Sequence, residues 1–422
     1  MRRCFYAKTT VILVVLVLAA ILGAVIAGCE EEATETTAGP IKIGVPVALS
    51  GMYAGDGQNS LQGIQMAVKE INDAGGLVGR PVEIVTFDIQ DLAPELVTRA
   101  ADQLVGSDKV DAVITGWSGF GGDVQAFGKY DVPFLNSDAQ QAAVDVMKEG
   151  GFENVFFGCE VEKDTGAEAW EFISWLPYEW PSKTVAFIHS DDNWAGTIYD
   201  TIQAAAEADG WEVVSRDLLP YGTIQWDAIL TRIRAADPAL IMFDLQSATD
   251  MLTFVQTFKA NPSNSLVYLG TGLPIREFQE AAAGEIDGFL GLTDVARGAP
   301  FPPISEGQNA WFEAFTEEFG VRPGGLAGMT YTETRAWAQA VEAVGDPSDY
   351  AAINEWLANN EFVVWDGVPP FRFDEDHVNR SNYLYFGQVQ GGEMMSLEAG
   401  GQAYTDYQGN TYELEIPSWV TQ

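Results

Sequence analysis

Several short stretches of this chain place polar side chains where an apolar run ends and a helical pattern begins, the position from which a side chain reaches a ligand or a reacting atom. In "VITGWSGFGG" (113–122) Ser118 stands on such a turn, as a nucleophile elbow would. The elbow needs glycine two residues on, and Phe120 is there instead. The chain has two histidines, His189 and His377, and His377 falls in a polar turn, so a serine triad finds few partners. The same turn has a better use. Backbone N–H groups at a helix N-terminus, with the Ser118 hydroxyl, make a seat for a carboxylate or a polar ligand oxygen.

"GDGQNS" (55–60) lacks the third glycine of a dinucleotide fingerprint, and no P-loop lysine occurs, which argues against nucleotide binding. "RFDEDHVNR" (372–380) gathers Asp374, Glu375, Asp376 and His377. Calcium-loop spacing wants an oxygen where Val378 stands and a glycine after it, so this stretch is expected to be a solvated hairpin turn. "HSDDNWAG" (189–196) would present acidic, amide and indole groups at a strand end, although Asp191 or Asp192 also suits the N-cap of the following helix. Tyr53, Trp117 and Trp194 lie on strand-end loops, where aromatic rings either line a pocket or complete a core. Trp211, Trp226, Trp311 and Trp337 fall in or beside regular elements and are expected to pack inside. No cofactor and no metal is implied by any of these patterns.

The elements that position these groups begin after a distinctive N-terminus. Arg2, Arg3 and Lys8 precede an apolar run over 11–27, the pattern of a secretory signal. The run ends in Ile26-Ala27-Gly28-Cys29, which looks like a lipobox: cleavage before Cys29 would leave its thiol to carry a diacylglyceryl group, and two acyl chains anchor where one does not. An uncleaved signal anchor is the alternative. Residues 1–28 are read as the signal peptide and 29–40 as an acidic tether, of which Glu30 to Pro40 reach on the order of 35 Å at ~3.3 Å per residue. Of three cysteines, Cys4 would leave with the signal and Cys29 would be acylated. Cys159 then has no partner for an intramolecular disulfide and is expected to be a small buried residue.

Charge narrows the partners. The formal net charge is −39, and loss of residues 1–28 removes three basic and no acidic groups, leaving 19 of the 22 Lys+Arg against 61 Asp+Glu. Such a surface repels nucleic acid and anionic headgroups.

Past Pro40, strands and helices alternate with little interruption. "IKIGVPVAL" is a buried-strand run, Leu61, Ile64, Val68 and Ile71 recur at helical spacing until Gly75-Gly76, and "VEIVTFD" follows as a strand. "DAVITG" and "VPFLN" continue the series. The pattern restarts with "TVAFIHS", "EVVSRDL", "ALIMFD" and "LVYLG", separated by helices near 195–209, 226–236 and 248–259. Continuous apolar strands alternating with amphipathic helices mean parallel sheet covered on both faces. "GFENVFFGCEVEKD" and "GFLGLT" are expected to cross between two lobes. Helices follow near 308–319, 328–344 and 351–360, and "YLYFGQVQ" is expected to close the chain as a strand. The fold class is α/β, with two Rossmann-like lobes joined by a multi-strand hinge. We expect 41–158 plus 293–364 to form the first lobe and 159–292 plus 365–422 the second, with a ligand cleft at the facing strand ends.

At this point the opening "IKIGVPVALSGMYAGDGQNSLQGIQMAVKEINDAGGLVGRPVEIVTFD" resembles the branched-chain amino acid (Leu/Ile/Val-type) extracellular solute-binding proteins of ABC transporters. In these a first strand ends in Leu-Ser-Gly and a helix ends in Ile-Asn-x-x-Gly-Gly. The likeness continues through "KDTGAEAWEFI", "VAFIHSDDNWAG" and "FRFDEDHVNRSNYLYFGQVQGGEM", from Ile41 to about Gly391. It implies the type I periplasmic-binding-protein fold, a small-molecule solute, delivery to ABC permease subunits, and a place outside the cytoplasm, with the membrane reached through the lipid on Cys29. It implies ligand contacts from Tyr53 and Asp56; from Trp117, Ser118 and Gly119; from Asp138, Ala139 and Gln140; and, in the second lobe, from Asn193, Trp194, Gln246, Thr271 and Gly272.

The sequence departs from that pattern twice. The serine-rich carboxylate loop is Gly-Phe-Gly-Gly after Ser118, and no acidic residue occupies Thr271-Gly272-Leu273, where the family receives an α-ammonium. An ammonium would then pair with Asp56 or Asp138. Amino acids come first as solutes, with amides, urea-like compounds and aromatic acids behind. A sensory module of the same fold is a competing reading, and an extracellular hydrolase using Asp191 and Asp192 a third.

Overall fold

The computed structural model describes residues 39–138, 140–222, 225–294, 299–381 and 383–421. The signal peptide, Cys29, nearly all of the tether and Ala139 lie outside the described residues.

From Pro40 onward the first lobe is built by β1 (Ile41–Val47), α1 (Ala54–Asp73), β2 (Val82–Asp88), α2 (Pro94–Ala101), β3 (Ala112–Thr115), α3 (Gly122–Gly128), β4 (Phe134–Asn136), α4 (Gln141–Gly150) and β5 (Val155–Phe157). Its sheet runs β2-β1-β3-β4-β5, every neighbour parallel. Successive residues go to opposite faces. Ala112 and Ile114 pack with α1, while Val113 between them packs with α2, α3 and α4. With both faces covered, the strands must be apolar throughout, which is why they read as continuous runs.

The second lobe repeats the plan. It comprises α5 (Glu162–Trp175), β6 (Thr184–Ser190), α6 (Asn193–Ala208), β7 (Glu212–Leu219), α7 (Trp226–Ala236), β8 (Leu240–Asp244), α8 (Ala248–Ala260), β9 (Leu266–Tyr268), α9 (Arg276–Ala281) and β10 (Leu290–Leu292). Val185 and Phe187 face α5 and α6, and Ala186 and Ile188 face α7 and α8. The parallel order β7-β6-β8-β9-β10 has the same form as the first sheet. In each lobe the order reverses between the first strand and the third, so ligands are expected at the loops that follow those two strands.

The chain then returns to the first lobe. Helices α10 (Glu306–Phe319), α11 (Gly325–Val344) and α12 (Tyr350–Asn359) bury Trp311, Phe315, Trp337, Val341 and Ile353 against β1 and α1. Helices α1 and α11 approach so closely that a β-carbon on Gly63 would meet the Ala327 carbonyl oxygen at 2.0 Å. The four tryptophans expected to pack are buried, Trp337 completely, and Cys159 is buried with its thiol on the Ser137 carbonyl.

Three features differ from expectation. "YLYFGQVQ" does not close the chain: β11 (Tyr385–Gln390) turns at Gly391-Gly392 into β12 (Glu393–Ala399), followed by β13 (Gln402–Ala403), all added antiparallel to the second sheet. The segment around His377 is not a solvated turn. The imidazole stacks on Phe156 at 4.5 Å, its Nδ1 lies 2.9 Å from the Val155 carbonyl, and Val378 pairs with Phe157. Trp365, Phe371, Phe373 and Val378 also pack with the first sheet, so we propose that the last crossing to the second lobe comes after Val378 instead of at 365.

Candidate functional site

The loops after β1 and β3 meet at the first lobe's switch point. The Tyr53 ring stands edge-on to Trp117, centroids 6.4 Å apart and planes at 86°. With Asp56, Ser60, Leu92 and Leu326 they line a pocket of about 200 Å³, part of it open to solvent. Gly57 is required beneath it, because a β-carbon there would sit 1.7 Å from the Ala48 carbonyl oxygen.

The second lobe closes on this pocket. Arg276 Nη1 on α9 donates to Gln62 Oε1 on α1 at 2.9 Å, and its Nη2 lies 3.2 Å from Glu277 Oε1. Burial, and then the Glu277 charge across the cleft, push the Asp56 carboxyl up to about 7, with Arg276 opposing. Burial first, then Asp56 and Asp192, raise the Tyr53 hydroxyl above its ordinary range. Tyr53 and Asp192 stand on loops of different lobes, and the strand ends therefore face each other. Among the described residues Arg276 is the cation whose charge reaches Asp56.

The anion seat expected around Ser118 is filled from within. Ser118 is fully buried, and its hydroxyl donates to Asp123 Oδ2 at 2.5 Å. Asp123 Oδ1 accepts from the backbone N–H of Gly121 at 3.0 Å and of Val124 at 2.8 Å. Asp138 Oδ2 accepts from the Phe120 N–H at 2.7 Å. Phe120 at φ +48° and Gly121 at φ +97° bend the loop so that these donors turn inward. Burial, then the adjacent Asp123, hold the Asp138 carboxyl well above the ordinary carboxylate range. Asp138 therefore sits 1% exposed beside a second carboxyl, away from the pocket.

In the second lobe Gln246 Nε2 donates to Thr271 Oγ1 at 3.1 Å, and Thr271 Oγ1 donates in turn to Asp244 Oδ2 at 3.1 Å. Asp244 ends β8, is 1% exposed, and is pushed up to about 7 by burial, with Asp192 adding to the rise. Asp192 is the N-cap of α6, accepting from the Ala195 N–H at 2.9 Å. Asn193 is exposed on the first turn of α6, while Trp194 leans on the core beneath. Gly272 lies against Met251, Gly119 against Asp123, and Gln140 precedes α4 without a capping bond from its side chain.

Of the residues singled out from sequence, Tyr53, Asp56 and Trp117 share one pocket and Gln246 with Thr271 shares one hydrogen-bond chain; Ser118 and Asp138 are sealed behind their loop. Arg276, Glu277, Asp123 and Asp244 were not anticipated. Asp244 had a signal, since the apolar run "ALIMFD" ends on it at a strand's carboxyl end.

Residues 40–393 match the family described as periplasmic binding protein. The chain belongs to that family. A Brucella melitensis relative, Leu/Ile/Val-binding protein homolog 3, is 26% identical over 326 residues, covering 75% of this chain and 83% of its own. Two crystal structures share the fold. The branched-chain amino acid transporter substrate-binding protein of Streptococcus pneumoniae, in complex with isoleucine, has a TM-score of 0.71 at 21% identity, covering 85% of this chain and 98% of that one. The R. palustris solute-binding protein in complex with benzoate has a TM-score of 0.68 at 18% identity, covering 90% and 99%. By family, then, this two-lobed protein is a periplasmic binding protein. No helix among the described residues is long and apolar enough to cross a membrane.

Proposed function

We propose that this chain is an extracytoplasmic, lipid-anchored solute-binding protein that captures an amino acid or a related small amine or amide between its lobes and presents it to the permease of an ABC transporter, without chemical change to the solute. The observation that carries the reading is the pocket at the first lobe's switch point: two aromatic rings and one carboxylate, faced by Arg276 and Glu277 of the other lobe. A solute seated there touches both lobes, so its binding favours the closed arrangement and turns capture into a shape a permease recognises. Tyr53 and Trp117 would hold its apolar part and Asp56 its amine. The tether and the lipid on Cys29 would keep the protein at the membrane surface.

A thermal-unfolding screen over amino acids, amines, amides and aromatic acids tests this. A true solute at a hundred times its Kd adds about 2.7 kcal/mol to stability by mass action. If no compound in the screen raises the midpoint, or if the stabilising compound is consumed on incubation, the proposal is wrong.

A further inference from the structure

The cleft is unevenly provided for charge. A ligand that carries both an ammonium and a carboxylate needs two seats of opposite sign, each desolvated on closure. Among the described residues, the charged seat that lines the pocket is the Asp56 carboxylate. The N–H groups of Phe120 and Gly121 and the Ser118 hydroxyl, the donors that would receive a carboxylate at the α3 N-terminus, are bonded to Asp138 and Asp123 of the chain itself. The cation that reaches the pocket, Arg276, is already bonded to Gln62 and paired with Glu277. On the other side, the Asp56 carboxylate lines the pocket beside Tyr53 and Trp117, with Glu277 and Asp192 contributing further negative charge from the second lobe. An added carboxylate would face the repulsion of Asp56, Glu277 and Asp192 with only neutral side-chain donors in the pocket lining, among them the Tyr53 hydroxyl and the Trp117 indole N–H, whereas a cation would find a carboxylate and two aromatic rings.

We infer that the solute is a small organic cation, an ammonium or amidinium compound that bears no carboxylate. The inference rests on the solute-binding reading above and narrows it. The titration of Asp56 agrees: its proton, held to about 7 by burial and Glu277 against the pull of Arg276, is released when a cation takes its place. Amine affinity therefore rises about tenfold per pH unit from 5 to 7 and then levels off.

The test is calorimetric titration of the full chain, freed of bound solute, with three matched probes and their carboxylated partners: isobutylamine against valine, 3-methylbutylamine against leucine, and phenethylamine against phenylalanine, with benzoate as the anion alone. The expected result is that at least one amine binds ten or more times tighter than its amino acid, that benzoate does not bind, and that Asp56→Asn lowers the amine's affinity at least tenfold. The comparison among probes uses the unaltered protein and so does not depend on how a variant folds. An amino acid or benzoate binding as tightly as the amines overturns the cation inference and leaves solute binding standing. Absence of binding by all three amines also overturns it, and the wider thermal screen then decides the solute-binding reading separately.

Discussion

Replacing Asp244 by Asn should make this protein more stable in alkali and not in acid. The carboxyl ends β8 at 1% exposure, and burial lifts it from its ordinary 3.8 to about 7. Folding therefore tightens its hold on the proton. The sign follows: stability from this group is greatest below pH 4, declines as pH climbs from about 4 to about 7, and is lowest above that. A rise of about three pH units corresponds to about 4 kcal/mol of differential stability. Asn cannot charge, so it escapes that loss, but it replaces one acceptor of the Thr271 N–H and hydroxyl, worth about 1 kcal/mol. The expected balance is a gain on the order of 3 kcal/mol at pH 8 and a loss of about 1 kcal/mol at pH 4. Urea unfolding at the two pH values, compared at constant slope, reads both. A variant less stable than the parent at pH 8 would refute the reasoning, because it would mean that the charged form is the one the site supports.

Other tests bear on the cleft and the anchor. Trp117→Ala removes one of the two rings of the pocket and should weaken solute binding by roughly 10- to 100-fold, a loss of about 1.4–3 kcal/mol, measured by titration. Asp56 and Glu398, both pushed up to about 7 chiefly by burial, act in the same direction as Asp244, so the unfolding midpoint of the parent should rise as pH falls from 8 to 5.5; a midpoint that falls over that range contradicts these assignments. Trp337→Ala, in a fully buried position between α11 and the first sheet, should cost about 3–5 kcal/mol in a denaturant titration. Cys29→Ser should move the protein from the membrane fraction to the soluble one, and retention on membranes would favour an uncleaved signal anchor.

The lobes were legible because their strands are buried on both faces, which writes them into the sequence as apolar runs such as "TVAFIHS" and "ALIMFD". The pocket's first half was legible for a related reason: Tyr53 and Trp117 stand on loops after strand ends, which strand order brings together, while Asp56 is legible only through the family resemblance. Its second half was not. Arg276 meets Gln62 across 214 residues, and no periodicity encodes a contact between separate lobes. The direction in which Ser118 points also depends on tertiary detail, namely the left-handed Phe120 and the buried Asp123 that draws the hydroxyl inward. The terminal hairpin is written in the Gly391-Gly392 pair, which at φ +62° and +86° forms the two-glycine turn that joins β11 to β12. His377 read as solvated because a run of acidic neighbours hides a ring that stacks on Phe156.

That two lobes shut on a solute is tested most directly by small-angle X-ray scattering of the full chain, before and after saturation with the compound that the thermal screen identifies. Closure predicts a smaller radius of gyration in the saturated sample. An unchanged radius at full occupancy, with binding verified in the same sample, would contradict it.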